Sequence, residues 1–203
     1  VHPFFAFSLS RSMLKFTEDL YYRPEKIGKA LQKATDEFIE RGLVNHKKYG
    51  APASSIVEER AGAFFFPLHI FEKFWWPYTI QMIDAFWAEG IVASFHLDTP
   101  WDKNLPYFKR LPRGSCLIDL DGTTDIGAAK NLLRNHHCIM SDVTASMFTL
   151  GTPDEVEAYC KKLIDEIGED GGHILSSGCS LPGPVRPENF KAFLKTGKTY
   201  KGK

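Results

Sequence analysis

The run Pro77-Tyr78-Thr79-Ile80-Gln81-Met82-Ile83-Asp84-Ala85-Phe86-Trp87-Ala88-Glu89-Gly90-Ile91-Val92-Ala93-Ser94-Phe95-His96-Leu97-Asp98 decides the fold. Its first half has the period of a helix. Tyr78, Met82, Ala85 and Phe86 fall on one side, a proline opens the run, and Gly90 closes it. Its second half, residues 91–97, has the period of a strand, with Ser94, His96 and Asp98 on one face and Ala93, Phe95 and Leu97 on the other. A helix that delivers the chain directly into a strand is half of a β/α repeat.

The same alternation recurs on both sides. Upstream, Ile27, Leu31, Ala34, Phe38 and Ile39 predict an amphipathic helix between Pro24 and Arg41, and Ile56 with Val57 marks a short strand. Downstream, the connection holding Trp101, Leu105 and Phe108 reads as a helix, and residues 115–121 read as a strand that turns at Asp121-Gly122. A short helix over 125–134 and a strand over 138–143 follow. Thr152-Pro153-Asp154-Glu155 then supplies an N-cap, a first-turn proline and an acidic third position ahead of Val156, Cys160, Leu163, Ile164 and Ile167. Gly171-Gly172 leads into a last strand over 173–177, and a closing helix over 187–194 enters a solvated end rich in lysine: Lys191, Lys195, Lys198, Lys201 and Lys203.

Strands alternating with helices predict an α/β fold with a parallel sheet. Neither GxGxxG nor a P-loop is present, so a barrel segment is favoured over a doubly wound nucleotide-binding sheet. A whole eight-stranded barrel takes roughly 250 residues. The expectation is a single domain over 1–203: a partial (β/α)8 TIM barrel, as a fragment of a larger barrel or a reduced form of one.

Composition bounds the function. Lys and Arg number 25 against 25 Asp and Glu, which gives no electrostatic reason to expect a nucleic-acid or anionic-membrane partner. With 43% hydrophobic residues the chain can build a large core, and no apolar run approaches the roughly 18 residues of a membrane span. Cys116, Cys138, Cys160 and Cys179 form no CxxC pair, so reduced thiols in a cytoplasmic protein are expected rather than a disulfide framework. The chain opens at Val1 with no secretory signal pattern, and Val1 need not be the natural start.

The residues that could carry chemistry gather at predicted strand ends. His96 and Asp98 share a face at the C-terminal end of one strand, and Cys179 follows the last strand, where a barrel builds its active site. Imidazole, carboxylate and thiolate are all competent zinc ligands, and three of them leave one position for a substrate. The competing reading makes Asp98 an orienting partner of His96 and Cys179 a structural thiol. Asp119, Asp121 and Asp142 also end strands; each can bind a polar substrate or tune a metal, or instead cap the next helix. Glu58, Glu59 and Arg60 could reach the same mouth or form a solvated loop. Phe64, Phe65, Phe66, Phe74, Trp75 and Trp76 read as core. Cys116, Cys138 and Cys160 read as buried small hydrophobes, and His136-His137 lies at the N-terminal, stability face of the barrel.

The ordered set Phe74-Trp75-Trp76-Pro77-Tyr78, His96-Leu97-Asp98, Gly151-Thr152-Pro153-Asp154-Glu155-Val156, Gly171-Gly172-His173-Ile174-Leu175-Ser176-Ser177-Gly178-Cys179 and Pro187-Glu188-Asn189 resembles the uroporphyrinogen decarboxylase superfamily. The resemblance runs from about Phe5 to Lys195 and implies the C-terminal part of that superfamily's (β/α)8 barrel. It embraces the decarboxylase of haem synthesis and zinc methyltransferases that move methyl groups between corrinoid proteins and thiols. In the methyltransferases a His-x-Cys and a later Cys bind zinc, which implies His96, Asp98 and Cys179 as the metal ligands, with Asp98 replacing a thiolate by a harder oxygen. By the same resemblance methylcobalamin comes from a corrinoid partner protein, and Asp119 and Asp121 are catalytic or outer partners of the metal; Glu59, Arg60 and Asp142, from their places at the strand ends, are expected to be substrate-binding. The decarboxylases carry a Gly-His-Gly on the last strand, where this chain has Ser177-Gly178-Cys179. The leading expectation is a methyltransferase. The alternatives are a carboxy-lyase and a catalytically silent fragment or partner-binding subunit, with a homodimer or a separate N-terminal half as possible assemblies.

Overall fold

A computed structural model describes residues 1–202, so Lys203 lies outside the described residues. In chain order the elements are α1 (Pro3–Ser10), α2 (Met13–Tyr22), α3 (Pro24–Tyr49), β1 (Ala53–Glu58), α4 (Leu68–Phe74), α5 (Trp76–Ala88), β2 (Val92–Leu97) and α6 (Leu105–Phe108). Then come β3 (Cys116–Leu120), α7 (Ile126–Leu133), β4 (Cys138–Val143), α8 (Ala145–Leu150), α9 (Pro153–Glu166), β5 (His173–Ser177) and α10 (Pro187–Thr199).

The five strands form one parallel sheet in the order β1-β2-β3-β4-β5. Sequential neighbours joined by helical crossovers wind in one direction, and that is the order of a barrel segment rather than of a doubly wound sheet. The architecture is therefore that of a partial TIM barrel. One face of the sheet buries Ile56, Ala93, Phe95, Leu97, Ile118, Leu120 and Ile139 in the main core with the aromatics of α4, α5 and α6. On the opposite face Val57, Val92, Ser94, His96, Leu117, Cys138 and Met140 are half-buried, and Ile174 is exposed. This is the concave face toward which the strand ends present polar groups.

Several elements depart from the sequence reading for identifiable reasons. The helix expected to end near Arg41 runs on to Tyr49, where Gly50 at φ +65° provides the left-handed cap. Gly42 looks like a stop but is a packing residue: a Cβ there would lie 2.5 Å from the Phe86 ring. The helices α1 and α2 both escape the sequence reading, although α2 is amphipathic, with Phe16 and Leu20 buried one turn apart. The first, PFFAFSLS, has no polar face to set a period, and its N-cap is His2, whose Nδ1 accepts the Phe4 N–H at 3.1 Å. The helix over α8 also escapes the reading. Of the aromatic stretch, Phe66, Phe74, Trp75 and Trp76 are buried as expected, whereas Phe64 and Phe65 are exposed. Cys116 and Cys160 are buried but Cys138 is only half-buried, and all four cysteines are unpaired. No helix among the described residues is long and apolar enough to cross a membrane.

The motif opening α9 folds as its residues dictate. Thr152 Oγ1 accepts the Glu155 N–H at 3.3 Å, and Glu155 Oε2 accepts the Thr152 N–H at 2.8 Å, a reciprocal capping box with Pro153 in the first turn. Thr152→Ala removes the hydroxyl acceptor and is expected to cost about 1 kcal/mol in chemical denaturation. A melt indistinguishable from the parent would show the cap to be energetically silent.

Candidate metal centre

β2 and β3 place the first two residues of the site. The parallel register sets His96 opposite Asp119, and because both belong to the concave row, imidazole and carboxylate meet: His96 Nδ1 donates to Asp119 Oδ2 at 2.7 Å. That bond fixes the tautomer and turns Nε2 the other way, where Asp98 Oδ2 stands at 3.4 Å. Asp98 is the first residue past β2. Its main chain is held on both sides, the N–H donating to Glu58 O at 3.3 Å and the C=O accepting Trp101 Nε1–H at 2.9 Å. Cys179, two residues past β5, completes the group. One ligand atom each from His96, Asp98 and Cys179 lies within 4.8 Å of the others.

The site is built for positive charge. Asp119, then Asp98 and Cys179, hold the His96 imidazole protonated and push its pKa up to about 11 against the opposing effect of burial. Burial raises the Asp119 carboxyl, while His96 pulls it back. Glu59 is raised by burial and by the neighbouring Asp98. Asp119 Oδ1 is buried without a hydrogen-bond partner. A cation bound at Nε2 would take the place of the proton among the same oxygens, with Asp119 on Nδ1 as the outer partner that metal-bound histidines generally have. The donor set of one nitrogen, one oxygen and one sulfur fits a zinc-class ion with an open fourth position.

The remaining sequence candidates do not join this ligand group. Asp121 does not touch the imidazole: its Oδ2 accepts the Thr99 N–H at 2.9 Å, and its Oδ1 accepts the Thr123 N–H at 2.9 Å and the Thr123 hydroxyl at 2.6 Å. Arg60 is turned away toward α1, donating to Ser8 O at 3.0 Å with its guanidinium over the Phe5 ring. Asp142 is buried and accepts the Tyr159 hydroxyl at 2.8 Å; burial pushes its carboxyl up. Asp125, read as a helix start, is the N-cap of α7, its carboxylate accepting the Ala128 N–H at 2.9 Å. His136 and His137 precede β4, each with Nε2 on a main-chain carbonyl, of Leu111 and Phe108 respectively.

The sequence reading missed the platform under the site. Glu58, the last residue of β1, is fully buried on the helix-facing side, where its carboxylate accepts from Arg60 N at 2.8 Å, Ala61 N at 3.0 Å and Trp75 Nε1 at 2.8 Å. His2 Nδ1 lies 3.5 Å from Glu58 Oε2, and burial keeps its ring neutral. The alternation along β1 held the signal: Ile56 and Glu58 share a face, so the glutamate follows the isoleucine into the core. Burial outweighs these donors and lifts the Glu58 carboxyl from 4.5 to about 7. A folded-state pKa above the unfolded value means that the folded chain holds more protons between those limits. This contribution to stability is therefore complete below about pH 4.5 and is lost as pH rises through about 7. The destabilisation caused by Glu58→Gln should accordingly be larger at pH 5 than at pH 8, the comparison cancelling groups that titrate elsewhere. A difference independent of pH would refute the shift.

The family model for uroporphyrinogen decarboxylase (URO-D) matches residues 5–200. A methylcobamide:CoM methyltransferase, MtbA, of Methanosarcina mazei is 24% identical over 152 residues, covering 75% of this chain and 43% of its own length. A uroporphyrinogen decarboxylase of Syntrophotalea carbinolica is 26% identical over 185 residues, covering 91% of this chain and 52% of its own length. The solved structure of a methyltransferase from Methanosarcina mazei superposes with a TM-score of 0.76 at 17% identity, over 92% of this chain and 53% of that one. The chain thus spans about half the length of the curated relatives it matches.

Proposed function

The chain belongs to the uroporphyrinogen decarboxylase (URO-D) family, and from that premise we propose that it is a zinc-dependent methyltransferase-like member, which passes a methyl group from a corrinoid protein to a thiol. The observation that carries the reading is the convergence of His96, Asp98 and Cys179, with ligand atoms within 4.8 Å, at the C-terminal ends of parallel strands. In this reading those three residues hold the ion. Bound there, zinc would supply Lewis acidity that lowers the pKa of an acceptor thiol, so that the thiolate is available at neutral pH. Asp119 holds the Nδ1 proton of His96 and so keeps Nε2 aimed at the ion. Asp98 contributes negative charge where the family resemblance implies a second thiolate. In this reading Glu59, its carboxyl raised by burial and by the neighbouring Asp98, is the group that would exchange a proton with an entering thiol. The similarity to MtbA supports the choice of a methylated corrinoid as donor and of CoM as a first acceptor to try.

A carboxy-lyase reading draws on the likeness to uroporphyrinogen decarboxylases. Such a site needs cations to hold the substrate's carboxylates. Arg60, the arginine expected at the mouth, is instead committed to Ser8. The test assays both reactions on the same preparation. The chain, supplied with zinc and methylcobalamin, should bind about one ion and convert CoM to its methyl thioether, with cobalamin left in its demethylated form. Zinc uptake without methyl transfer, or release of carbon dioxide from a porphyrinogen, would reject the methyltransferase assignment.

A further inference from the structure

Asp121 stands between the two loops that carry Asp98 and Cys179, and it touches both. Its side chain addresses the first: Oδ2 accepts the N–H of Thr99, the residue after Asp98, while Oδ1 is fastened to Thr123 of its own loop. Thr99 has φ +72°, a left-handed conformation that a β-branched residue adopts only when its surroundings enforce it. Three contacts hold it there: the Asp121 carboxylate on its N–H, the bond from its hydroxyl to Glu59 O at 3.3 Å, and the Thr124 hydroxyl donating to its carbonyl at 3.4 Å. The main chain of Asp121 addresses the second loop. Gly178, immediately before Cys179, is packed so closely that a Cβ would lie 2.9 Å from both Asp121 C and Leu120 O, and 3.0 Å from Asp121 Cα. These contacts act on the oxygen and sulfur donors and leave the imidazole to Asp119.

We propose that Asp121 is a positioning residue that sets the separation of Asp98 from Cys179, its carboxylate clamping one loop and its backbone seating the other. The inference rests on the metal-site reading, so its test includes a measurement that needs no metal. The first measurement is cobalt(II) affinity, read from the thiolate-to-cobalt absorption of the full chain. Asp121→Ala should weaken it by about 10- to 100-fold, the usual cost of losing an outer partner. Asp121→Asn, which keeps an oxygen for the Thr99 N–H, should stay much closer to the parent. The second measurement is a distance ruler: in a D98C background, the equilibrium of the 98–179 disulfide against glutathione, with the cross-link identified by peptide mass. Asp121→Ala should shift that equilibrium toward the dithiol.

Gly178→Ala forces the two loops apart by placing a methyl group against the Leu120–Asp121 backbone and should move both readouts in the same direction; it also decides the matter if Asp121→Ala fails to fold. An unchanged ruler in Asp121→Ala, or in Gly178→Ala where that variant stands in, overturns the proposal. So does an Asp121→Asn variant that binds cobalt as poorly as Asp121→Ala while its ruler is intact, because charge rather than position would then be at work. Failure of the parent chain to bind cobalt would overturn the metal reading alone, and the ruler would still judge the positioning role.

Discussion

The His96→Ala variant is expected to lose zinc and cobalt(II) binding by more than about 100-fold, beyond the range typical of an outer-partner change. His96 supplies the one nitrogen of the group and is the cation around which it is organised, between Asp119 on Nδ1 and Asp98 near Nε2. Removing it takes away a proposed ligand and leaves Asp98, Asp119 and Glu59 close together without that positive partner. Asp119→Asn should behave differently. It leaves all three proposed ligands in place but disturbs the partner of Nδ1, so it should cost about 10- to 100-fold. Cys179→Ser keeps the size of the side chain and exchanges sulfur for a weaker donor, and should fall with His96→Ala. Titration with cobalt(II) orders the three variants, and thermal melting of the metal-free proteins shows that each is folded. Equal affinity in His96→Ala and the parent would remove His96 from the site and with it the proposed zinc chemistry.

The sequence made the sheet legible because each strand there is bracketed by its own punctuation. Pro77 and Gly90 bound the helix before β2, Asp121-Gly122 ends β3, Thr152-Pro153 starts α9, and Gly171-Gly172 precedes β5. Alternation along β2 was enough to put His96 and Asp98 on one side. Consecutive parallel pairing then brings Asp119 into register with His96, although 23 residues separate them. The neighbourhood of Cys179 was not readable in that way, because its distance to His96 depends on how far the sheet curves between β2 and β5. The roles of Asp121 and Glu58 were hidden for a different reason. A carboxylate that braces a loop, or that sits beneath a strand end, looks in sequence like any other acid at the mouth. Gly178 was the residue that could have pointed to the first, since a glycine directly before a candidate ligand often marks a close backbone approach.

The platform beneath the site leads to the expectation with the largest effect on stability: Trp75→Ala should abolish cooperative folding. Trp75 is completely buried and stacks on His2 and on Phe71, each with ring centroids 4.9 Å away, and it packs against Phe95, Trp101 and Phe108. Truncating such a side chain costs about 3–5 kcal/mol, and stranding the buried acceptor Glu58 Oε2 costs about 1–3 kcal/mol more. Together these match the lower part of the roughly 5–15 kcal/mol by which a domain is stable. Trp75→Phe separates the two terms. It keeps most of the packing and removes only the indole N–H that Glu58 accepts at 2.8 Å, so it should fold with reduced stability. The lost donor favoured the ionised carboxylate, so its loss should raise the Glu58 pKa above about 7 and make the variant's deficit larger at pH 8 than at pH 5. Denaturant melts at the two pH values test this, and a deficit that is equal at both would exclude the carboxylate as the indole's functional partner. The main chain of Glu58 ties the platform to the site, its carbonyl accepting the N–H of Asp98 at 3.3 Å. Trp75→Phe should therefore also weaken cobalt(II) binding, less than Asp119→Asn does, since it reaches the ligand through the main chain of Glu58 rather than through the imidazole.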